Sequence, residues 1–133
     1  MAVAVLDASA FLAYLYEETG AERVIDAIGE GCFISADNWA EVLTKVADHG
    51  DEPVAFEEQL YDAGVLGSGL EVVSLQPQDA AAIAQLRAPT RSMGLSMEDR
   101  ACLVLAQRLG LLVLTSDKVW GRLDLDINIQ LIR

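Results

Sequence analysis

Two short stretches, Ala2–Leu6 and Leu111–Thr115, are apolar along almost their whole length. Runs this short and this apolar suit the central strands of a parallel sheet, where helices cover both faces. The rest of the chain fits that frame, because β-type runs alternate with helical ones. Further strands are expected over Cys32–Ser35, Glu71–Leu75 and Ile127–Ile132, the last at an edge. Helices are expected over Ala8–Glu17, Ala21–Gly29, Asp37–Asp48, Pro53–Leu66, Pro77–Arg87 and Ser96–Leu109, with a short one over Val119–Leu123. Thr19-Gly20, Gly50, Gly67-Ser68-Gly69 and Gly110 stand where these elements should stop, and Pro53 opens a helix at its first turn. Ala88–Leu95 reads as a loop. Such alternation implies an α/β fold, a parallel sheet covered on both faces. With no repeats and no long linkers, residues 1–133 read as a single domain.

Composition narrows the function classes. The chain is 53% apolar, yet no apolar run approaches the ~20 residues of a membrane span. MAVAVLDASAF has no basic region ahead of its apolar run, so no secretory signal is expected and the protein reads as cytoplasmic. Cys32 and Cys102 lie in apolar segments without a CxxC partner, which suits reduced, buried thiols rather than a zinc site. The only histidine, His49, precedes Gly50 at a helix end, where it complements the helix dipole. A Ser-His-Asp triad would depend on it and is discounted. No Gly-rich phosphate loop is present. The formal net charge of −12 opposes a broad nucleic-acid surface, since phosphate contacts need cations.

The acids carry the most specific signal. In an open parallel sheet, sites form beyond the carboxyl ends of the strands, where the winding direction reverses. Asp7 follows the first strand and Asp117 follows the fourth. Asp99 lies in the first turn of the helix that precedes the fourth strand, and Glu41 about one turn into the helix after the second. All four can therefore fall at one end of the sheet. Each also has a local explanation. Asp7 and Asp117 suit N-caps, Ser96-Met97-Glu98-Asp99 suits a capping box, and Glu41 suits an exposed helix face. A cap contributes only ~1 kcal/mol. Two carboxylates ~4 Å apart repel by up to ~4 kcal/mol at an effective dielectric of ~20. If the four converge, the cluster needs protons or a cation, and all-oxygen ligands favour Mg²⁺ or Mn²⁺ over zinc.

Four segments then carry a resemblance: VLDASAFLAYLY at 5–16, ISADNWAEVLTKV at 34–46, GLSMEDRACLVLAQRLG at 94–110 and LTSDKVW at 114–120. In these, and in their order, the chain resembles PIN-domain ribonucleases, specifically the VapC-type toxins of toxin–antitoxin pairs. The resemblance spans nearly the whole chain. It implies a three-layer α/β/α sandwich with a short, mostly parallel sheet of four or five strands. It implies an Mg²⁺-dependent endoribonuclease, with Mn²⁺ as an alternative ion. Asp7, Glu41, Asp99 and Asp117 take the places of the catalytic acids. Asp7 and Asp99 correspond to direct metal ligands, and Glu41 and Asp117 to ligands through water or at a second metal. Ser9 and Thr115 correspond to supporting polar residues. A homodimer and a cognate antitoxin, its C-terminal segment lying over the groove, are implied as well. Two positions depart from the common pattern: Glu98 stands where Gly often precedes the third acid, and Lys118 where Arg often follows the fourth.

Five of the nine cations, Arg87, Arg91, Arg100, Lys118 and Arg122, lie near the proposed site in sequence, around Asp99 and Asp117. Arg91, Arg100, Lys118 and Arg122 are candidates for a local basic rim that contacts RNA. The opposing reading pairs Arg100 and Arg122 with acids such as Glu98 and Asp124. Trp39 and Trp120 suit either base stacking or the core. The apolar first helix and Val54–Leu66 suit either the core or an interface. A catalytically silent interaction module on the same fold is the competing function. A haloacid-type phosphatase or a receiver domain is disfavoured, because the first strand ends in a single Asp followed by Ala-Ser.

Overall fold

The computed structural model describes residues 1–133. Five strands form one sheet in the order β3-β2-β1-β4-β5, and every neighbouring pair is parallel. They are β1 (Ala4–Leu6), β2 (Cys32–Ser35), β3 (Leu70–Val73), β4 (Leu112–Thr115) and β5 (Ile129–Leu131). β1 and β4 lie side by side at the centre, as their apolar runs require, and β5 forms the expected edge strand. The pleat sends alternate residues of β1 to opposite faces. Ala4 and Leu6 join one core with Phe11, Val24, Ile34 and Trp39. Val5 joins the other, with Leu103, Leu105, Val113 and Trp120. The first core is covered by α1 (Ala8–Leu15), α2 (Ala21–Glu30), α3 (Ala36–Asp48) and α4 (Pro53–Asp62). The second is covered by α7 (Met97–Leu109), against which α5 (Asp79–Gln85) packs. The result is the three-layer α/β/α sandwich.

Some boundaries differ from those read off the sequence, each for a local reason. α1 stops at Leu15 rather than at Glu17, because Glu17 takes a left-handed conformation and the Glu18 amide turns back to the Ala13 carbonyl. α4 ends at Asp62 rather than Leu66, where Gly64 turns left-handed and the Val65 and Leu66 amides fold back onto the Leu60 carbonyl. The stretch read as a loop, Ala88–Leu95, is instead largely helical: α6 (Arg87–Thr90) and a 3₁₀ turn, Arg91–Met93, precede Gly94. Pro89 is tolerated there because it sits in the first turn, where its missing N–H has no partner to lose. The segment after β4 is a 3₁₀ helix, Lys118–Arg122.

α5 is tied to α7 by an ion pair at 3.0 Å between Arg108 and the buried Asp79. A second close approach ties the chain after β5 to the turn before α2. Gly20 has φ +98°, and a Cβ there would lie 2.5 Å from the Ile132 carbonyl oxygen. Gly20→Ala would meet both a left-handed backbone and a backbone clash. It is expected to cost about 2 kcal/mol or more, read as a lower urea midpoint with an unchanged slope.

Candidate active site

The sheet winds from β1 through β2 to β3 on one side, then resumes at β4 on the other. The reversal lies between β1 and β4, and the residues leaving those two strands meet at their carboxyl ends. Asp7 leaves β1 and is 4% exposed. As N-cap of α1, it accepts a hydrogen bond from the Ala10 amide at 2.8 Å. The Ser9 hydroxyl lies 2.7 and 2.9 Å from its two oxygens. Thr115, the last residue of β4, donates its hydroxyl to Oδ2 at 2.6 Å. The backbone after β4 holds both hydroxyls in turn: the Ser116 amide donates to Ser9 Oγ and the Asp117 amide to Thr115 Oγ1. Three donors thus meet a group with about four acceptor positions. Burial raises the Asp7 carboxyl to about 6; the Thr115, Ser9 and Ala10 hydrogen bonds oppose the rise, and the charge of Asp99 adds to it.

The other acids surround this centre. Asp99 is half-buried and completes a capping box with Ser96. Its carboxyl is raised by burial, against the Ser96 hydrogen bonds, with Asp117 and Glu98 contributing repulsion. Glu41 is raised by burial, then by Asp99, Glu98 and Asp37. Asp117 is exposed and caps the 3₁₀ helix through the Val119 amide. Local capping and convergence are therefore not alternatives: Asp7, Asp99 and Asp117 are caps, and their helices start at the same edge. None of the four acids takes part in an ion pair; the two ion pairs of the structure are Arg108–Asp79 and Arg133–Glu18.

A residue not singled out from the sequence ties Glu41 to this edge. Asn38 is fully buried, receives the Ser35 hydroxyl on Oδ1, and donates from Nδ2 to Glu41 Oε1 at 2.7 Å and to the Glu98 carbonyl at 3.2 Å. It thereby joins α3 to the start of α7. The Ser35-x-x-Asn38 spacing after a strand was the available signal, as a helix N-terminus with a polar third residue.

The donor set suits a hard divalent cation. It is all oxygen, three of its carboxyls are raised by burial, and no cation of the chain is paired with them. As the side chains stand, no three His, Cys, Asp or Glu groups are gathered into a ligating set. Asp7 and Asp99 both spend oxygens on caps, so a cation here would draw on carboxylates already oriented by backbone donors. Cys102 lies below, its thiol near the Leu6 carbonyl and raised well above its usual range by burial and by Asp7, Asp99 and Glu41. Cys32 is buried too, and pushed up to about 12. Both are inert thiols, as expected.

The cation candidates separate. Arg91, Lys118 and Arg122 are exposed. Arg100 is not available to a ligand: it is 7% exposed and donates to the Ile83 carbonyl at 2.8 Å, on the side of α7 that faces α5. The helical spacing that puts Asp99 toward the site turns its neighbour away by about 100°. Neither Arg100 nor Arg122 pairs with an acid. Trp39 and Trp120 are core residues, 4% and 1% exposed, so neither offers a face to a base. The roomiest cleft, about 520 Å³, lies at the opposite edge of the sheet among Gln107, Leu111 and Asp126. Its one charged residue is Asp126, and it offers no comparable chemistry.

Comparison with known proteins bears on the fold that carries these residues. The family model of the PIN domain matches residues 4–125. No curated protein sequence matches the chain significantly. Among solved structures, DNA-bound VapBC from Salmonella typhimurium is 18% identical with a TM-score of 0.71, covering 100% of both chains. A toxin–antitoxin complex from Klebsiella pneumoniae gives 18% and 0.71 over 98% of each chain. VapBC2 from Rickettsia felis, bound to a promoter DNA fragment, gives 14% and 0.70 over 97% of this chain and 98% of that one. At these identities the likeness is one of fold.

The raised Asp7 carboxyl makes a prediction about stability. The unfolded side chain titrates near 3.8 and the folded one near 6. Below about pH 4 both states hold the proton and the group costs nothing. Between the two values the unfolded state loses its proton first, so stability falls as pH rises; above about 6 the full penalty, roughly 3 kcal/mol, is present. Asn caps about as well as Asp. Urea denaturation in chelator should therefore find Asp7→Asn more stable than the parent at pH 7.5, by up to ~3 kcal/mol, with the gap closing by pH 4.

Proposed function

Because the chain belongs to the PIN domain family, we propose that it is a metal-dependent endoribonuclease acting as the toxin of a toxin–antitoxin pair. The observation that carries the reading is that Asp7, Glu41, Asp99 and Asp117 lie along one edge of the sheet, Asp99 near enough to raise the Asp7 and Glu41 carboxyls and Asp117 near enough to raise that of Asp99, and that none has a cationic partner. Asp7 and Asp99 would hold Mg²⁺ or Mn²⁺ directly, and Glu41 and Asp117 through water or at a second ion. When bound, such an ion polarises a phosphoryl oxygen and lowers the pKa of coordinated water. Ser9 and Thr115 keep their protons on Asp7 and so hold its oxygens in one orientation. Asn38 does the same for Glu41. The proton held by Asp7 below about pH 6 competes with the cation, so metal affinity rises as pH passes through that value.

The structural neighbours are toxin–antitoxin complexes by their descriptions, which supports an antitoxin partner here. An acidic chain, net −12, suits a basic one. The same reading makes the protein a homodimer that works in the cytoplasm, and no helix is long and apolar enough to cross a membrane. One observation favours a second reading, a silent interaction module: no three ligand side chains stand gathered.

RNA cleavage by the antitoxin-free protein separates the two. The nuclease should cut with Mg²⁺ or Mn²⁺, stop on chelation, and lose more than about a hundredfold in rate in the folded Asp7→Asn variant. A silent module would cut nothing and would bind Mg²⁺ poorly by calorimetry. Cleavage that survives in Asp7→Asn would place the activity elsewhere.

A further inference from the structure

Beyond Glu41, α3 changes sign. Asp37, Glu41, Lys45 and His49 follow at four-residue steps, each stacked on the one before. Asp37, Glu41 and Lys45 line one cleft, of about 330 Å³. Lys45 also lines the next, of about 310 Å³, together with His49, Ser9, Leu12, Tyr16 and Ser116. The two clefts adjoin at Lys45, a paired groove beside the acids. Ser9, at the inner end of the second cleft, is the residue whose hydroxyl rests on Asp7 at 2.7 Å.

The second cleft is equipped for an anion. Lys45 is exposed and pairs with no acid. His49 Nδ1 lies 2.8 Å from the Lys45 carbonyl, which can only accept; Nδ1 therefore carries the hydrogen, and in the neutral ring Nε2 is an acceptor that an anion does not use. Glu18, the acid of this cleft, is engaged by Arg133 at 2.9 Å. Leu12 and Tyr16 form an apolar wall; Tyr16 is 39% exposed and its ring stacks on His49 at 4.9 Å. Lys45 stands about 6 Å along the helix from Glu41, a span comparable to that between successive phosphates of an extended strand.

We propose that this groove binds single-stranded RNA. Lys45 contacts the phosphate next to the one at the acids, and Tyr16, backed by the His49 ring, meets the adjoining base. The inference rests on the nuclease reading and adds to it where the strand runs. None of these three was among the cation or stacking candidates drawn from the sequence, because Lys45 and His49 are remote in sequence from Asp99 and Asp117.

The test is fluorescence anisotropy with a short labelled single-stranded RNA in Mg²⁺, in the Asp7→Asn background so that the strand stays whole. Lys45→Gln should weaken binding about fivefold, the worth of one exposed charge contact. It should also lower the slope of log affinity against log salt by about 0.7, one phosphate contact on a single strand. Lys45→Arg should restore both. Tyr16→Leu should weaken binding while leaving the salt slope unchanged. Unchanged affinity and slope in Lys45→Gln, in a protein whose parent still cuts RNA, would overturn the groove and leave the nuclease standing. A parent that neither cuts nor binds RNA would overturn both.

Discussion

The burial of one carboxylate organises this protein. Asp7 sits where β1 meets the reversal of the sheet, 4% exposed. Removing its charge from water is costly, and the surrounding structure is arranged to limit that cost. The Ala10 amide and the Ser9 and Thr115 hydroxyls donate to it, and backbone amides after β4 hold those hydroxyls in place. The donors offset only part of the desolvation, which is why the carboxyl stays near 6. The remaining imbalance is a reservoir that a cation could draw on. Here the fold accepts a local loss of stability at the position where the proposed chemistry would use a charge.

The same residues serve architecture and site together. Asp7 starts α1, Asp99 closes the capping box of α7, and Asp117 starts the 3₁₀ helix after β4. A helix start in a parallel α/β sandwich lies at the carboxyl edge of the sheet, the edge where sites form. Capping therefore delivers carboxylates to one place without a separate device. It also orients them, since a cap is held by backbone amides that cannot drift.

The net charge of −12 describes the whole surface and not this edge. Acid and base are sorted along α3: Asp37 and Glu41 face the site, Lys45 and His49 the adjoining cleft. Arg100, by contrast, is withdrawn under α5, its charge resting on the Ile83 carbonyl and its Nε without a partner. Counting cations near the acids in sequence overstated the rim because a single residue step, about 100° around the helix, separates a residue that faces the site from one that faces the core.

By itself the sequence determined the alternation of strands and helices, the two central strands and the elements that end in acids. These follow from local patterns: apolar runs, breakers, caps and helical period, all readable within a few residues. The four motifs also carried the family resemblance, which the match over residues 4–125 bears out. Only the tertiary structure decided how deeply Asp7 is buried, that Asn38 bridges Glu41 to α7, that Arg100 is hidden, and that Lys45 and His49 share a cleft with Ser9. The helical turns at Arg87–Met93 escaped for a related reason, since Pro89 and Gly94 read as loop signals until α5 supplies the turn that leads into them. Desolvation and side-chain contact depend on what packs against a residue, and those neighbours lie scores of positions away in the chain.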